Sequence, residues 1–276
     1  MEIGLKLPTI TAASDFARHF QDDVWRRVAK IICQRHQLSC SDLRRCEYGE
    51  NIIFFVDARF VVKIFAPFRQ SFQRERAALE FADGKLAIET PQIVHAGEFE
   101  GWSYIVMTQL AGVLAGDVWV SLEEREQSEI VSRLGASMSE LHAHAAPLAE
   151  VALNRGWQTF IERQARTCVE RQRDCGASHE WLESLPAFLD ARMELLPADY
   201  QPVLLHGDIH LGNLLLAQSG GGWRISGLFD FGDSLCGFHE YEFVEREKHS
   251  FGRKSQSVLT QIAALVQDGK QHQTCA

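Results

Sequence analysis

Residues 203–231 constrain this chain more than any other stretch. An apolar run, Val203-Leu204-Leu205, enters a loop crowded with polar groups, His206-Gly207-Asp208-Ile209-His210-Leu211-Gly212-Asn213. A second apolar run, 214–216, follows at once. Ser219-Gly220-Gly221-Gly222 turns the chain, and residues 223–229 return it to Asp230. Two apolar runs joined by a glycine-rich turn read as an antiparallel hairpin, and a hairpin brings its open ends together. Asn213, at the start of one strand, is therefore expected beside Asp230, at the end of the other. A carboxylate and an amide oxygen side by side make a hard-oxygen site suited to Mg2+. Asp208 enters the same corner from the loop. Any one of these residues alone reads as an ordinary turn Asp or Asn. The whole set, H-G-D-x-H-x-x-N followed by D-F-G, is far more specific. Phosphoryl transfer asks for such a set: a carboxylate that accepts or orients the acceptor hydroxyl, and oxygen ligands for a metal that neutralises phosphate charge.

A second signal is Lys63, inside the apolar run 60–65. A lysine in such a strand is unfavourable unless its ammonium is paired or reaches water. The bland alternative is an edge-strand lysine with its head in solvent. Residues 71–82 read as a helix on which Phe72, Glu75, Leu79 and Ala82 share one face while Glu80 lies on the other. Glu75 then points toward the strands, where it can pair with Lys63 and aim it at nucleotide phosphates. A weaker signal is the turn around Gly49 and Asn51 before the strand at Ile52. A glycine there lets backbone N–H groups approach phosphate, although an ordinary hairpin turn fits as well.

The rest of the chain divides in two. Asp22 and Asp23 precede an amphipathic helix over 24–36, with an Asp expected as its N-cap. Runs 52–56 and 60–65 form a hairpin around Asp57-Ala58-Arg59, and 92–96 and 103–107 add further strands. After residues 108–112 the pattern turns mainly helical, over 123–142, 157–173 and 179–196. This predicts an α+β chain with a small β-rich lobe, residues 1–109, and a larger mainly helical lobe, residues 110–276. The net charge of −9 argues against nucleic acid as a partner and leaves room for a cationic small molecule. No apolar run of about 18 residues is present, so no membrane span is expected. The seven cysteines lack CxxC spacing, which points to reduced thiols in the cytoplasm and not to zinc or disulfides.

Lys63, Glu75, HGDIHLGN and FDFGD occur in the order and spacing of the aminoglycoside phosphotransferase and choline kinase family, which this chain resembles. RERAALEFA, YIVMTQLAG and RLGASMSELHAH are similar to stretches of that family too, and within it the layout looks most like hygromycin B phosphotransferases. The resemblance implies a two-lobed protein-kinase-like fold and transfer of a phosphoryl group from ATP or GTP to a small-molecule hydroxyl. It implies Asp208 as catalytic base, with His210 ordering its loop and His206 structural. Asn213 and Asp230 hold Mg2+, and Lys63 meets the α and β phosphates with Glu75 as its partner. Thr108, Gln109 and Leu110 meet the nucleotide base through their backbone. Two departures stand out. The family pattern Gly-Asp-Pro-x-x-Asp-Leu is replaced by Gly237-Phe238-His239-Glu240-Tyr241-Glu242-Phe243, and the chain ends at Ala276 where relatives continue. The expectation is an intact nucleotide side and an altered or shortened acceptor side, with Asp233, Glu240 and Glu242 available to line a cleft for ammonium groups. Three alternatives stand beside the antibiotic kinase. One is a metabolic kinase for choline, a sugar or an amino alcohol. Another is a nucleotide-binding remnant without activity. The third is a metallophosphoesterase, suggested by Gly-Asp-Ile-His but lacking that superfamily's companion motifs.

Overall fold

The protein is described from a computed structural model, which covers residues 5, 7–193, 196–197 and 199–243. Two helices come first, α1 (Ala13–His19) and α2 (Val24–Arg35). A five-stranded antiparallel sheet follows, built from β1 (Leu43–Arg45), β2 (Ile52–Val56), β3 (Phe60–Ile64), β4 (Ile93–Phe99) and β5 (Trp102–Thr108) in the order β1-β2-β3-β5-β4. Helix α3 (Ser71–Ala82) is inserted between β3 and β4. Side chains alternate across the sheet, as strand geometry requires. Val62, Ile64, Tyr104 and Val106 face α1 and α2, while Ile105 and Met107 face α3. Trp25, buried and in edge-to-face contact with Trp102 at 4.5 Å, fills the first of these layers. The expected Asp cap of α2 is absent: neither the Asp23 side chain nor any other bonds the first-turn N–H groups. Asp22 is turned instead toward His19, at 2.8 Å.

Beyond residue 110 come β6 (Val113–Leu114), α4 (Ala115–Val118), α5 (Glu124–His142), α6 (Trp157–Asp174) and α7 (His179–Met193). The last turn expected for α7 runs into residues 194–195, outside the described set. Helix α5 starts on a reciprocal cap: Glu123 receives the Glu126 backbone N–H, and the Glu126 side chain accepts from the Glu123 N–H. Then come β7 (Val203–Leu205), β8 (Leu214–Ser219), β9 (Gly222–Leu228) and β10 (Leu235–Gly237), followed by a short 3-10 helix (His239–Phe243). β8 and β9 form the expected hairpin, with Leu214 opposite Leu228 and β6 on the outer edge. β7 pairs with β10 in a separate two-stranded ribbon.

One apolar cluster runs through both parts of the chain. Phe65, Leu79, Ile105 and Met107 pack with Leu134, Met138, Leu204, Leu214, Leu228 and Phe231. The β-rich part is thereby seated on the β8–β9 hairpin.

The first layer yields a test of stability alone. Trp25→Ala should cost about 3–5 kcal/mol, because a fully buried indole is removed and its neighbours collapse only partly. Urea unfolding monitored by circular dichroism measures it, and a midpoint equal to wild type would mean that α2 does not carry the sheet.

Candidate active site

Lys63 sits on β3, which is flanked by β2 and β5, so it is no edge lysine. Its side chain is 5% exposed, and Nζ lies 2.6 Å from Glu75 Oε2 and 2.8 Å from Asp230 Oδ1. Glu75 reaches it because the helical face of α3 aims inward, as the spacing predicts. Asp230 reaches it from the end of β9, a contact the sequence did not announce. Burial would lower the Lys63 pKa, but Asp230 and Glu75 raise it well above the usual lysine range. Glu75 is pushed up to about 7 by burial, against the pull of Lys63 and with Asp230 adding repulsion. Asp230, whose side chain is 44% exposed, is held below the usual carboxylate range by the Lys63 ammonium. Two carboxylates share one ammonium, and the more buried of them takes the cost.

Asp230 adopts a left-handed backbone, φ 65° and ψ 65°, unusual for a residue with a Cβ. Three bonds fix it there. Lys63 holds its carboxylate, the Phe229 N–H donates to Asn213 O at 3.1 Å, and His206 Nε2 donates to Phe229 O at 3.0 Å. The same contacts confirm that the hairpin closes Asn213 onto the Asp230 corner. His206 is fully buried against Phe231, with ring centroids 4.4 Å apart. Its Nδ1 accepts the Asp208 N–H at 3.3 Å, so it ties the loop before Asn213 to the end of the hairpin.

Asp208 carries a carboxylate that is only partly exposed. Asn213 Nδ2 donates to Asp208 Oδ2 at 3.1 Å and to Asp208 O at 2.9 Å. His210 Nδ1 accepts from the Gly212 N–H at 3.0 Å, which leaves its Nε2 to carry the proton toward Asp208 Oδ2, 3.4 Å away. Both neighbours therefore reach Asp208 and fix the direction of its carboxylate. Because the Asn213 amide nitrogen is spent on Asp208, its Oδ1 is the atom left for a cation. With the half-exposed Asp230 carboxylate it makes a hard-oxygen donor pair that fits Mg2+.

The nucleotide-side residues are less uniform. Gly49 has a positive φ of 138° in the β1–β2 turn. Asn51 is buried, and its Oδ1 accepts the Ala66 N–H at 3.3 Å, which fixes the end of that turn from inside. The Thr108 N–H donates to Gln92 O and the Gln109 N–H to Arg59 O, at 2.9 and 2.8 Å. Any backbone donor to a nucleotide base at this strand end is thereby narrowed to Leu110. One expectation fails. Glu242 does not line a cleft: it is buried, and its carboxylate accepts the backbone N–H groups of His206 and Gly207. The one-turn 3-10 helix at His239–Phe243 aims Glu242 inward while Glu240 stays exposed. Sequence reasoning missed this because the two acids look alike in a run of polar residues. The orphaned aspartate slot of the family pattern was the available signal.

The profile of the APH phosphotransferase enzyme family matches residues 49–245, and the chain belongs to that family. Among solved structures, the GDP complex of wild-type aminoglycoside 2'-phosphotransferase-IIIa superposes with a TM-score of 0.69 at 19% identity, covering 88% of this chain and 82% of that one. The streptomycin–ATP ternary complex of APH(2")-IIa gives 0.64 at 18%, covering 87% and 81%. The macrolide 2'-phosphotransferase MphH from Brachybacterium faecium gives 0.58 at 17%, covering 87% and 82%. A comparison with curated proteins returns no match. The protein is thus a phosphotransferase with the two-lobed kinase-like fold.

The charge arrangement predicts a specific stability cycle. Lys63→Met strands Glu75 in the interior beside a second carboxylate and should cost about 3–5 kcal/mol. Adding Glu75→Leu should recover much of that loss, because contacting residues couple by about 0.5–3 kcal/mol. Additive losses in urea titrations of the two single variants and the double variant would show that the pair does not interact.

Proposed function

We propose that the protein is a Mg2+-dependent kinase that transfers the γ-phosphoryl group of ATP or GTP to a hydroxyl of a small molecule, with an aminoglycoside as the acceptor class. The observation that carries this reading is the convergence of Asp208, Asn213, Asp230 and Lys63 on one corner: Asn213 bonds Asp208, Lys63 bonds Asp230, and the Phe229 N–H joins the two pairs through Asn213 O. Residues 1–109 form the nucleotide lobe in this reading and residues 110–276 the catalytic and acceptor lobe, part of which lies outside the described residues.

Each group has a distinct duty. Lys63, held by Glu75, places positive charge against the α and β phosphates, and the backbone at Leu110 meets the base. Gly49, in the β1–β2 turn, lets the backbone approach phosphate. Asp230 and Asn213 Oδ1 would hold Mg2+, which supplies charge neutralisation on the phosphate oxygens. Asp208 accepts the proton of the acceptor hydroxyl and orients its oxygen toward the γ phosphorus. Asn213 and His210 keep that carboxylate aimed. No helix among the described residues is long and apolar enough to cross a membrane, and the six cysteines there are free thiols, which agrees with action in the cytoplasm.

The acceptor class rests on the acidic charge of the chain and on the aminoglycoside enzymes among its structural neighbours. Burial of Glu242 removes one of the three acids expected to recognise ammonium groups, so a neutral acceptor stands as the second reading.

Three measurements test the proposal. Asp208→Asn should lower turnover by at least about 10²-fold with the fold intact, since the amide can accept no proton. Asp230→Ala should weaken Mg·ATP binding and turnover together; unchanged binding in titrations would remove Asp230 as a metal ligand. Transfer should also be screened on a panel of aminoglycosides that includes hygromycin B, with macrolides, choline and sugars beside them. For a cationic acceptor, KM should rise steeply as the Debye length falls from about 10 Å at 0.1 M salt to about 3 Å at 1 M. Phosphorylation of a neutral alcohol alone, with a KM insensitive to salt, would establish the second reading in its place. Nucleotide binding without transfer to any acceptor or to water would mark a remnant.

A further inference from the structure

The turn between β1 and β2 buries nothing of its own. Residues 47–50 are all exposed, and Tyr48 at the tip is 74% exposed. With no apolar surface to seat it, the turn takes its position from the strands at its ends and from polar ties. One tie is internal: Cys46 Sγ donates to Tyr48 O at 3.2 Å. Two come from elsewhere in the chain. Gln21 Nε2 donates to Glu47 O at 2.8 Å, at the start of the turn. The Arg69 guanidinium, from the segment between β3 and α3, pairs with the Glu50 carboxylate at its end.

Both outside ties stand on α1. Phe16, buried on that helix, meets Phe20 edge-to-face at 5.5 Å and Phe68 at 6.2 Å. Phe20 immediately precedes Gln21, and Phe68 immediately precedes Arg69. The corner that carries Gln21 is fixed further by Trp25 Nε1, which donates to His19 O at 2.7 Å, and by the Arg45 guanidinium, 5.0 Å from the centre of the Phe20 ring. On the other side the Arg69 guanidinium lies over the Phe68 ring at 5.5 Å, and the Arg69 N–H donates to Ala66 O at 3.0 Å. The row Phe20, Phe16, Phe68 therefore sets the spacing of the two ties. Helix α1 and Gln21 precede residue 49, where the match to the family begins, so this support comes from outside the stretch that the family pattern covers.

We propose that α1 is the base of a two-point clamp, in which Gln21 and Arg69 are positioning residues that hold the 47–50 turn in its phosphate-receiving shape before nucleotide arrives. The inference rests on that turn meeting phosphate in the proposed kinase reaction. A glycine turn that had to be ordered at binding would give up part of the phosphate interaction to conformational entropy, and a turn fixed in advance does not. The two points differ in chemistry. Gln21 acts on a backbone carbonyl, so a side chain of similar reach with an N–H to give can replace it. Arg69 acts on a carboxylate, and it neutralises the Glu50 charge that would otherwise face an incoming anion of like sign. Both ties are exposed, so each is expected to carry the modest weight of a surface contact.

The test uses the full chain carrying Gln21→Ala, Gln21→Lys, Arg69→Met, Arg69→Met with Glu50→Gln, Gln21→Ala with Arg69→Met, or Phe16→Ala. Calorimetric titration gives the affinity for Mg·ATP and for adenosine, or for Mg·GTP and guanosine if GTP is the nucleotide that the wild type binds. Turnover is followed with water or the acceptor found in the panel. Gln21→Ala and Arg69→Met should each weaken the nucleotide by about 2–5-fold, and the two together by about tenfold. Nucleoside affinity and kcat should stay within about twofold of wild type, because the turn meets phosphate alone and binds it before the chemical step. Gln21→Lys keeps a donor and should recover most of its loss. Glu50→Gln should do the same for Arg69→Met, since it removes the unpaired carboxylate. Phe16→Ala takes away the seat of both ties and should reproduce the combined loss. Unchanged nucleotide affinity in the Gln21→Ala, Arg69→Met variant would overturn the clamp. An equal loss for the nucleoside would overturn it too, because that marks a general weakening of the sheet. Should Phe16→Ala not fold, the combined variant decides alone, since neither of its residues belongs to the apolar core. Gly49→Val separates the clamp from the reading beneath it, for φ there is 138° and a branched side chain is strained. Nucleotide affinity unmoved by Gly49→Val would sink the turn as a phosphate site, whereas loss there with none in the combined variant would sink the clamp alone.

Discussion

A single ammonium group holds the two parts of this protein in register. Lys63 lies in an inner strand of the sheet, where an unpaired charge would be prohibitive. It is tolerated because Glu75 comes from the helix after the strand and Asp230 from the far end of the chain, 167 residues away. Placing the lysine therefore commits α3, the sheet and the β8–β9 hairpin to one arrangement. The apolar cluster through Phe65, Leu79, Leu214 and Phe231 follows the same seam and supplies the burial that keeps the charges dry. The unequal burial of the two carboxylates also divides their labour. Glu75, nearly inaccessible, is the one driven toward neutrality, while half-exposed Asp230 stays ionised on the side where a cation and phosphate would arrive.

Around Asp208 the economy lies in shared atoms. Asn213 donates through its nitrogen to both the side chain and the backbone carbonyl of Asp208, so one side chain closes the loop onto the start of the hairpin. His206 acts likewise, taking the Asp208 N–H on one ring nitrogen and giving the other to Phe229 O. Phosphoryl transfer requires little covalent work from the protein and much fixed geometry. A loop whose His206, Gly207, Asp208, Gly212 and Asn213 N–H groups all have partners within the protein meets that demand.

What the sequence disclosed follows from how local each feature is. The hairpin was legible because its turn glycines and flanking apolar runs are contiguous, and Asn213 and Asp230 come together by register alone. Glu75 was legible because helical spacing sorts it from Glu80. The Lys63–Asp230 contact was not, since no local rule joins a strand to a loop so far downstream. Two- and three-residue strands such as β6 and β10 are too short to show a period. Asp23 misled because a good capping residue in the right place was left unused. Glu242 misled more instructively. In composition it is one acid among several, and only the single turn of 3-10 helix decides that it faces in while Glu240 faces out.

That reversal relocates the question of acceptor selectivity. The corner around Lys63 and Asp230 is built from side chains whose partners are fixed, and it leaves little room for change. The helices that follow are under far weaker constraint: α6 runs for 18 residues and buries only Trp157 and Ile161. A helix with so small a buried face is held by a few apolar contacts, and its remaining positions can vary at little cost in stability. Superpositions at 19% identity and below keep the fold despite such divergence. Change is therefore easiest on the surfaces that packing does not dictate, while Glu242, drawn inward, is fixed by the N–H groups of His206 and Gly207.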